Sequence, residues 1–92
     1  MPVKVLVTSV IQKVVDNQRA FTSEGRTIGE LISNIDSRYP GFREQLADEQ
    51  GVLHRFVNIY LNDEDIRYLK GADTELTDGD EVSILPALAG GA

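Results

Sequence analysis

Thr27-Ile28-Gly29-Glu30-Leu31-Ile32-Ser33-Asn34-Ile35-Asp36-Ser37-Arg38-Tyr39-Pro40-Gly41 is the stretch on which the fold turns. Thr27 followed three residues later by Glu30 is a capping box: the hydroxyl accepts from a free amide of the first turn and the carboxylate reaches back. Ile28, Leu31, Ile32, Ile35 and Tyr39 then recur at helical spacing and make one apolar face. Pro40-Gly41 stops the helix. A helix with one apolar face must bury it, so the flanking segments have to supply the surface that covers it.

Those segments read as strands. Upstream, Val3-Lys4-Val5-Leu6-Val7-Thr8 is β-branched and alternating, with Val3, Val5 and Val7 on one face. Asp16-Asn17 is a turn signal, and Arg19 to Ser23 forms a second strand. Downstream, Phe42 to Leu46 makes one further helical turn and Asp48 to Gly51 is a loop. Phe56 to Leu61 is a strand closed by the turn Asn62-Asp63-Glu64-Asp65, and Ile66-Arg67-Tyr68 is expected to be a short edge strand. Asp78-Gly79-Asp80 is a tight turn in which glycine supplies the positive φ. Val82 to Leu85 is the last strand, ended by Pro86. Strand, strand, helix, strand, short strand, strand is an α+β order: one main helix covers a mixed sheet with the first and last strands central and a right-handed crossover. This is a β-grasp, the ubiquitin-like arrangement.

The 92 residues suffice for one domain with a modest core. Residues 1–86 are expected to form it, and residues 87–92 a C-terminal tail. The net charge of −6 argues against a nucleic-acid binder, which needs a basic footprint, and favours a partner with a basic surface. With no cysteine in the chain, disulfides, thiolate metal sites and cysteine nucleophiles are excluded. No signal-peptide pattern opens the sequence and no apolar run approaches a membrane span, so the expected location is the cytoplasm.

The tail reads Ala87-Leu88-Ala89-Gly90-Gly91-Ala92. Ordering a residue costs about 1–2 kcal/mol of backbone entropy, and glycine has no side chain to recover it. The tail is therefore expected to be mobile in the free protein and ordered by a partner. Gly90 and Gly91 add no width, so the segment can thread a narrow enzyme tunnel.

The run Asp78-Gly79-Asp80-Glu81-Val82-Ser83-Ile84-Leu85-Pro86, followed by Ala87-Leu88-Ala89-Gly90-Gly91, resembles the carboxyl terminus of the ThiS/MoaD sulfur-carrier family. Leu53 to Asp65 is similar to the CysO-like branch of that family, which serves cysteine synthesis. The resemblance implies that a ThiF/MoeB-like activating enzyme, using ATP, adenylates the carboxylate of Gly91. A sulfur donor then replaces AMP, and the resulting thiocarboxylate delivers sulfide to a PLP-dependent, cysteine-synthase-like acceptor. The chain itself would bind no cofactor. It has no phosphate loop of its own, so activation requires another protein.

The family pattern ends at Gly-Gly, whereas here Ala92 follows Gly91. One extra residue moves the carboxylate by up to about 3.3–3.6 Å. Misplacing a reacting group by ~1 Å already costs ~100-fold in rate. The chain is therefore expected to be a precursor from which, as the resemblance to other extended sulfur carriers implies, a JAMM-type zinc metalloprotease removes Ala92, with Gly91 and Ala92 the processing site; the alternative is that the activating enzyme tolerates it. Leu88, Ala89 and Gly90 give access to Gly91.

Alternation along the strands places Val3, Val5, Val57, Ile59, Leu61, Val82 and Ile84 toward the helix. It leaves Leu6, Phe56, Tyr60 and Leu85 on the open face, an apolar cluster suited to docking the activating enzyme. His54, the one histidine, has no nucleophile beside it in sequence and reads as structural or solvent-exposed. The acidic runs Asp63-Glu64-Asp65 and Asp78-Gly79-Asp80-Glu81 lack calcium-loop spacing and read as turns, so no metal site is expected. Two other uses of such a tail are the small, MoaD-like subunit of molybdopterin synthase and a ubiquitin-like modifier joined to lysines.

Overall fold

The computed structural model describes residues 2–8, 10–50, 52–54 and 57–86. Among them, β1 is Pro2–Val7, α1 is Val10–Val14, β2 is Ala20–Glu24, α2 is Ile28–Arg38 and α3 is Phe42–Leu46. Next come β3 at Val57–Leu61, the two-residue β4 at Glu64–Asp65, and β5 at Glu81–Pro86. They build a five-stranded sheet in the order β2-β1-β5-β3-β4. β1 and β5 lie at its centre and run parallel, while β2, β3 and β4 join antiparallel. This is the expected β-grasp.

The alternation of the strands determines what the sheet buries. Val3, Val5 and Val7 from β1, Val82 and Ile84 from β5, and Val57 and Ile59 from β3 are buried with Ile28, Leu31 and Ile35 of α2. Leu61, at the end of β3, is half-buried and packs on the rim of that core, as do Ile32 and Tyr39. Phe42 and Leu46 of α3 are buried in the same core.

α2 begins as its sequence requires, with one shift of partner. The Thr27 hydroxyl accepts from the Glu30 amide at 3.2 Å. The Glu30 carboxylate reaches back to the Arg26 amide at 3.3 Å, one residue beyond the cap. At the other end Tyr39 terminates the helix, its amide donating to the Ile35 carbonyl at 2.8 Å, and Gly41 turns the chain with φ 99°.

Two expectations are corrected. The chain between β1 and β2 is not a bare turn: it contains α1, whose Ile11 is buried along with the following Val15. The left-handed pair Asp16-Asn17 then turns the chain toward β2. Ile66-Arg67-Tyr68 is a 3-10 turn and not an edge strand. The Asp65 carboxylate accepts from the Arg67 amide at 2.8 Å, which closes the turn and carries Ile66 into the core. The edge pairing falls instead on Glu64–Asp65, across the left-handed pair Asn62-Asp63, which suits a two-residue hairpin loop.

Gly25 lies where β2 passes into α2. A Cβ there would stand 2.6 Å from the Leu31 nitrogen and 2.7 Å from its Cα. Backbone atoms cannot yield as a side-chain end can. Gly25→Ala is therefore expected to destabilise the fold by about 1–3 kcal/mol. Thr27→Ala, which removes only the cap, should cost about 1 kcal/mol. Urea unfolding followed by circular dichroism checks both, and a Gly25→Ala midpoint equal to that of the wild type would show that α2 can shift freely.

Candidate functional site

β5 carries the chain from the Asp78-Gly79-Asp80 turn, through the middle of the sheet, to Pro86 opposite Val57. Whatever follows Pro86 thus leaves from the centre of the sheet, at the end where β1 finishes and β3 begins. Leu88, Ala89, Gly90, Gly91 and Ala92 lie outside the described residues, as does Phe56.

The start of β5 is braced. Asn62, in the β3–β4 loop, donates from Nδ2 to the Asp80 carboxylate at 3.1 Å and accepts the Glu81 amide at 3.0 Å. Its own amide donates to the Glu81 carbonyl at 2.9 Å. The second Asp80 carboxylate oxygen accepts from the Thr77 amide at 2.8 Å. The Thr77 amide, aided by the Asn62 and Thr77 side chains and opposed by partial burial, holds the Asp80 carboxyl below its ordinary value. The acidic run 78–81 is thus a tied turn. Among the described residues no group of three His, Asp or Glu side chains is placed to hold a metal.

On the face away from α2, register brings three of the four expected docking residues together. Leu6 and Tyr60 both pair with Ser83, from opposite sides of β5, and Leu85 follows two positions along β5 beside Asn58. Leu6, Tyr60 and Leu85 are half-buried. Lys4 and Glu81, one row further along, are 3.9 Å apart and exposed, so their pairing adds little stability. His54 is half-buried, with Nε2 3.1 Å from the Glu44 carbonyl and its amide donating to the Leu46 carbonyl at 2.9 Å. It holds the chain before β3 against α3, as the structural reading expects.

Sequence reasoning missed the role of Arg67. Its guanidinium donates to the Val57 carbonyl at 2.6 Å and to the Asn58 side chain at 2.7 Å, and it pairs with Asp65 at 3.3 Å. An arginine beside a predicted edge strand carried no signal of this, because the 3-10 turn that aims it back along β3 depends on the burial of Ile66. Also missed was an apolar hollow of about 400 Å³ on the helix side, with Gly29, Ile32, Leu53 and Ala72 in its wall and Val52, 60% exposed, on its rim.

A parallel β1–β5 pair at the centre of a five-stranded sheet, under a helix between β2 and β3, defines the chain as a ubiquitin-like β-grasp protein. A model described as the ThiS family matches residues 5–91, and the chain belongs to that family. It is 44% identical over 93 residues to the sulfur carrier protein CysO of Mycobacterium tuberculosis, an alignment spanning 99% of this chain and 100% of that one. The crystal structure of M. tuberculosis CysO superposes with a TM-score of 0.88 at 42% identity, covering 94% of this chain and 99% of that one. The crystal structure of the Amycolatopsis orientalis BexX/CysO complex contains a chain similar at TM-score 0.88 and 38% identity, covering 96% and 98%. Small archaeal modifier protein 3 of Haloferax volcanii is 35% identical over 65 residues, 71% of this chain and 70% of the relative. The CysO-like resemblance noted in the sequence therefore extends over the whole chain.

The lowered Asp80 carboxyl sets a pH test. A group whose folded pKa is depressed adds stability above its unfolded pKa and loses it as pH falls through the folded one. Asp80→Asn should therefore lower the urea midpoint near neutral pH, and the gap from wild type should close below the ordinary carboxylate range. A gap that is the same at both ends would show that the carboxylate charge is not what braces β5.

Proposed function

We propose that this chain is a sulfur carrier and not an enzyme. The observation that carries this reading is the whole-length similarity to the sulfur carrier CysO, strengthened by a fold in which the central strand leads into a Gly-Gly tail. Gly91 is the reacting residue. A terminal carboxylate is ionised at neutral pH and can attack a phosphate. In the proposed sequence a Gly91 carboxylate oxygen attacks the α-phosphorus of ATP on a ThiF/MoeB-like activating enzyme, and pyrophosphate leaves. Sulfide from a donor then adds to the acyl carbon and AMP leaves, so the terminus carries one sulfur in place of one oxygen. The thiocarboxylate passes this sulfur to an acceptor, a PLP-dependent synthase making cysteine or a related thiol amino acid in the cytoplasm.

Ala92 blocks the first step in this scheme, because it displaces the reacting carboxylate, and a JAMM-type zinc metalloprotease removes it. Gly90, Ala89 and Leu88 thread the partner's tunnel, with Leu88 as the apolar anchor. Leu6, Tyr60 and Leu85, together with Phe56, form the face that meets the activating enzyme. The net charge of −6 favours a basic surface on that enzyme and chiefly speeds the encounter. Conjugation of Gly91 to lysine side chains is a second reading, favoured by the similarity to the archaeal modifier.

Intact mass spectrometry after incubation with the activating enzyme, ATP and a sulfide source tests the scheme. The chain ending at Gly91 should gain the mass difference of sulfur over oxygen, while the chain retaining Ala92 should stay unchanged until the protease is added. Conversion of the Ala92 form at an equal rate would remove the need for trimming. Ladders of conjugates on a denaturing gel, without a thiocarboxylate, would favour the modifier reading.

Tyr60→Ala should slow thiocarboxylate formation by about tenfold or more while leaving the circular dichroism spectrum unchanged, in the range expected for an interface aromatic. An unaltered rate would move the docking face elsewhere.

A further inference from the structure

The outer edges of a sheet offer unpaired backbone groups to any passing strand, and a sheet that must stay single has to fill them. In β2 the register determines which groups face out. Val7 donates to the Arg19 carbonyl at 2.9 Å, so the odd residues of this strand turn their backbone groups toward β1. Ala20, Thr22 and Glu24 turn theirs outward. The carbonyls of the last two are occupied by side chains of α2: Arg38 Nη1 donates to the Thr22 carbonyl at 2.9 Å, and Asn34 Nδ2 donates to the Glu24 carbonyl at 2.6 Å.

The match is one of pitch. Four residues of helix advance about 6 Å, and two residues of strand advance about 6.8 Å. Residues 34 and 38 share one helix face, so a helix running against β2 meets every second carbonyl. Arg38 is held in this pose: its guanidinium carbon lies 5.2 Å from the centre of the Tyr39 ring, and that ring packs edge-on against Phe21 of β2 at 6.0 Å.

The other side of the sheet repeats the device. In β3 the Asn62 amide turns toward β5, so the Val57 carbonyl faces outward, at a position the two-residue β4 does not cover. Arg67 Nη2 fills it at 2.6 Å.

We propose that Asn34 and Arg38, with Arg67 on the far side, seal the edges of this sheet against strand addition, and that the seal on β2 keeps a second copy of the chain from pairing edge to edge through Thr22 and Glu24. The occupant excluded is a second copy because its own β2, once opened, presents the same alternating groups and can pair antiparallel about a two-fold axis.

Sedimentation velocity over a range of concentrations tests this on the full chain. The wild type should show no association that depends on β2. Asn34→Ala combined with Arg38→Met, which keeps the aliphatic stem, frees both carbonyls and should tighten self-association by about ten- to hundredfold. Thr22→Pro added to that pair removes an outward-facing N–H without touching the β1 ladder, and should abolish the association. A folded double variant that sediments like the wild type at every concentration would overturn the proposal, as would association that persists with Thr22→Pro. Should the double variant fail to fold, Arg38→Met alone opens the Thr22 carbonyl and carries the same test, with the same two overturning results.

Discussion

The parallel pairing of β1 with β5 is the constraint on which the rest depends. It joins the two ends of the described chain, Lys4 to Glu81 through Val7 to Ile84, and so closes the longest loop in the molecule. Loop closure costs entropy before any contact repays it. The repayment comes from a single layer: Val3, Val5, Val7, Val82 and Ile84 reach zero or near-zero exposure against α2. Since β2 hangs on one side of this pair and β3 on the other, weakening it would loosen every other strand.

The same pairing gives the molecule its polarity. A strand at the centre of a sheet is held on both sides, so the direction in which β5 leaves is determined at Pro86. The bracing of the other end of β5, by Asn62 and the charged Asp80, keeps that register from slipping. A slip of one residue would turn Val82 and Ile84 out of the core. Under the proposed carrier role, a rigid strand base allows the segment that follows Pro86 to be short and plain in sequence.

Edges and faces of the sheet are treated differently. The face away from α2 keeps Leu6, Tyr60 and Leu85 half-exposed in one patch. The outward carbonyls of Thr22, Glu24 and Val57 are instead occupied by side-chain donors. Under the proposed docking face and edge seal, contact with other molecules is steered toward side chains, which can discriminate partners, and away from backbone groups, which any strand can match.

What the sequence by itself determined is what local physics controls. The capping threonine, the apolar period from Ile28 to Tyr39 and the Pro-Gly stop specify α2. Alternating β-branched residues specify β1, β3 and β5, and the turn at Gly79 follows from the need for positive φ. Phe42–Leu46 and the family resemblance at the C-terminus were legible in the same way, from residues close together in the chain. The tertiary structure alone decided the rest. Val10–Val14 is rich in β-branched residues, yet it is helical and is followed by the buried Val15. Ile66–Tyr68 has the composition of a strand, yet it turns because Asp65 caps it and Ile66 is drawn inward. The Glu30 arm lands on the Arg26 amide and not on that of the capping Thr27. Arg38, Asn34 and Arg67 read in sequence as ordinary surface residues. Their tasks became visible only once packing had placed specific carbonyls within hydrogen-bond reach, since a short segment's conformation, and a long side chain's partner, are settled by what lies across the core.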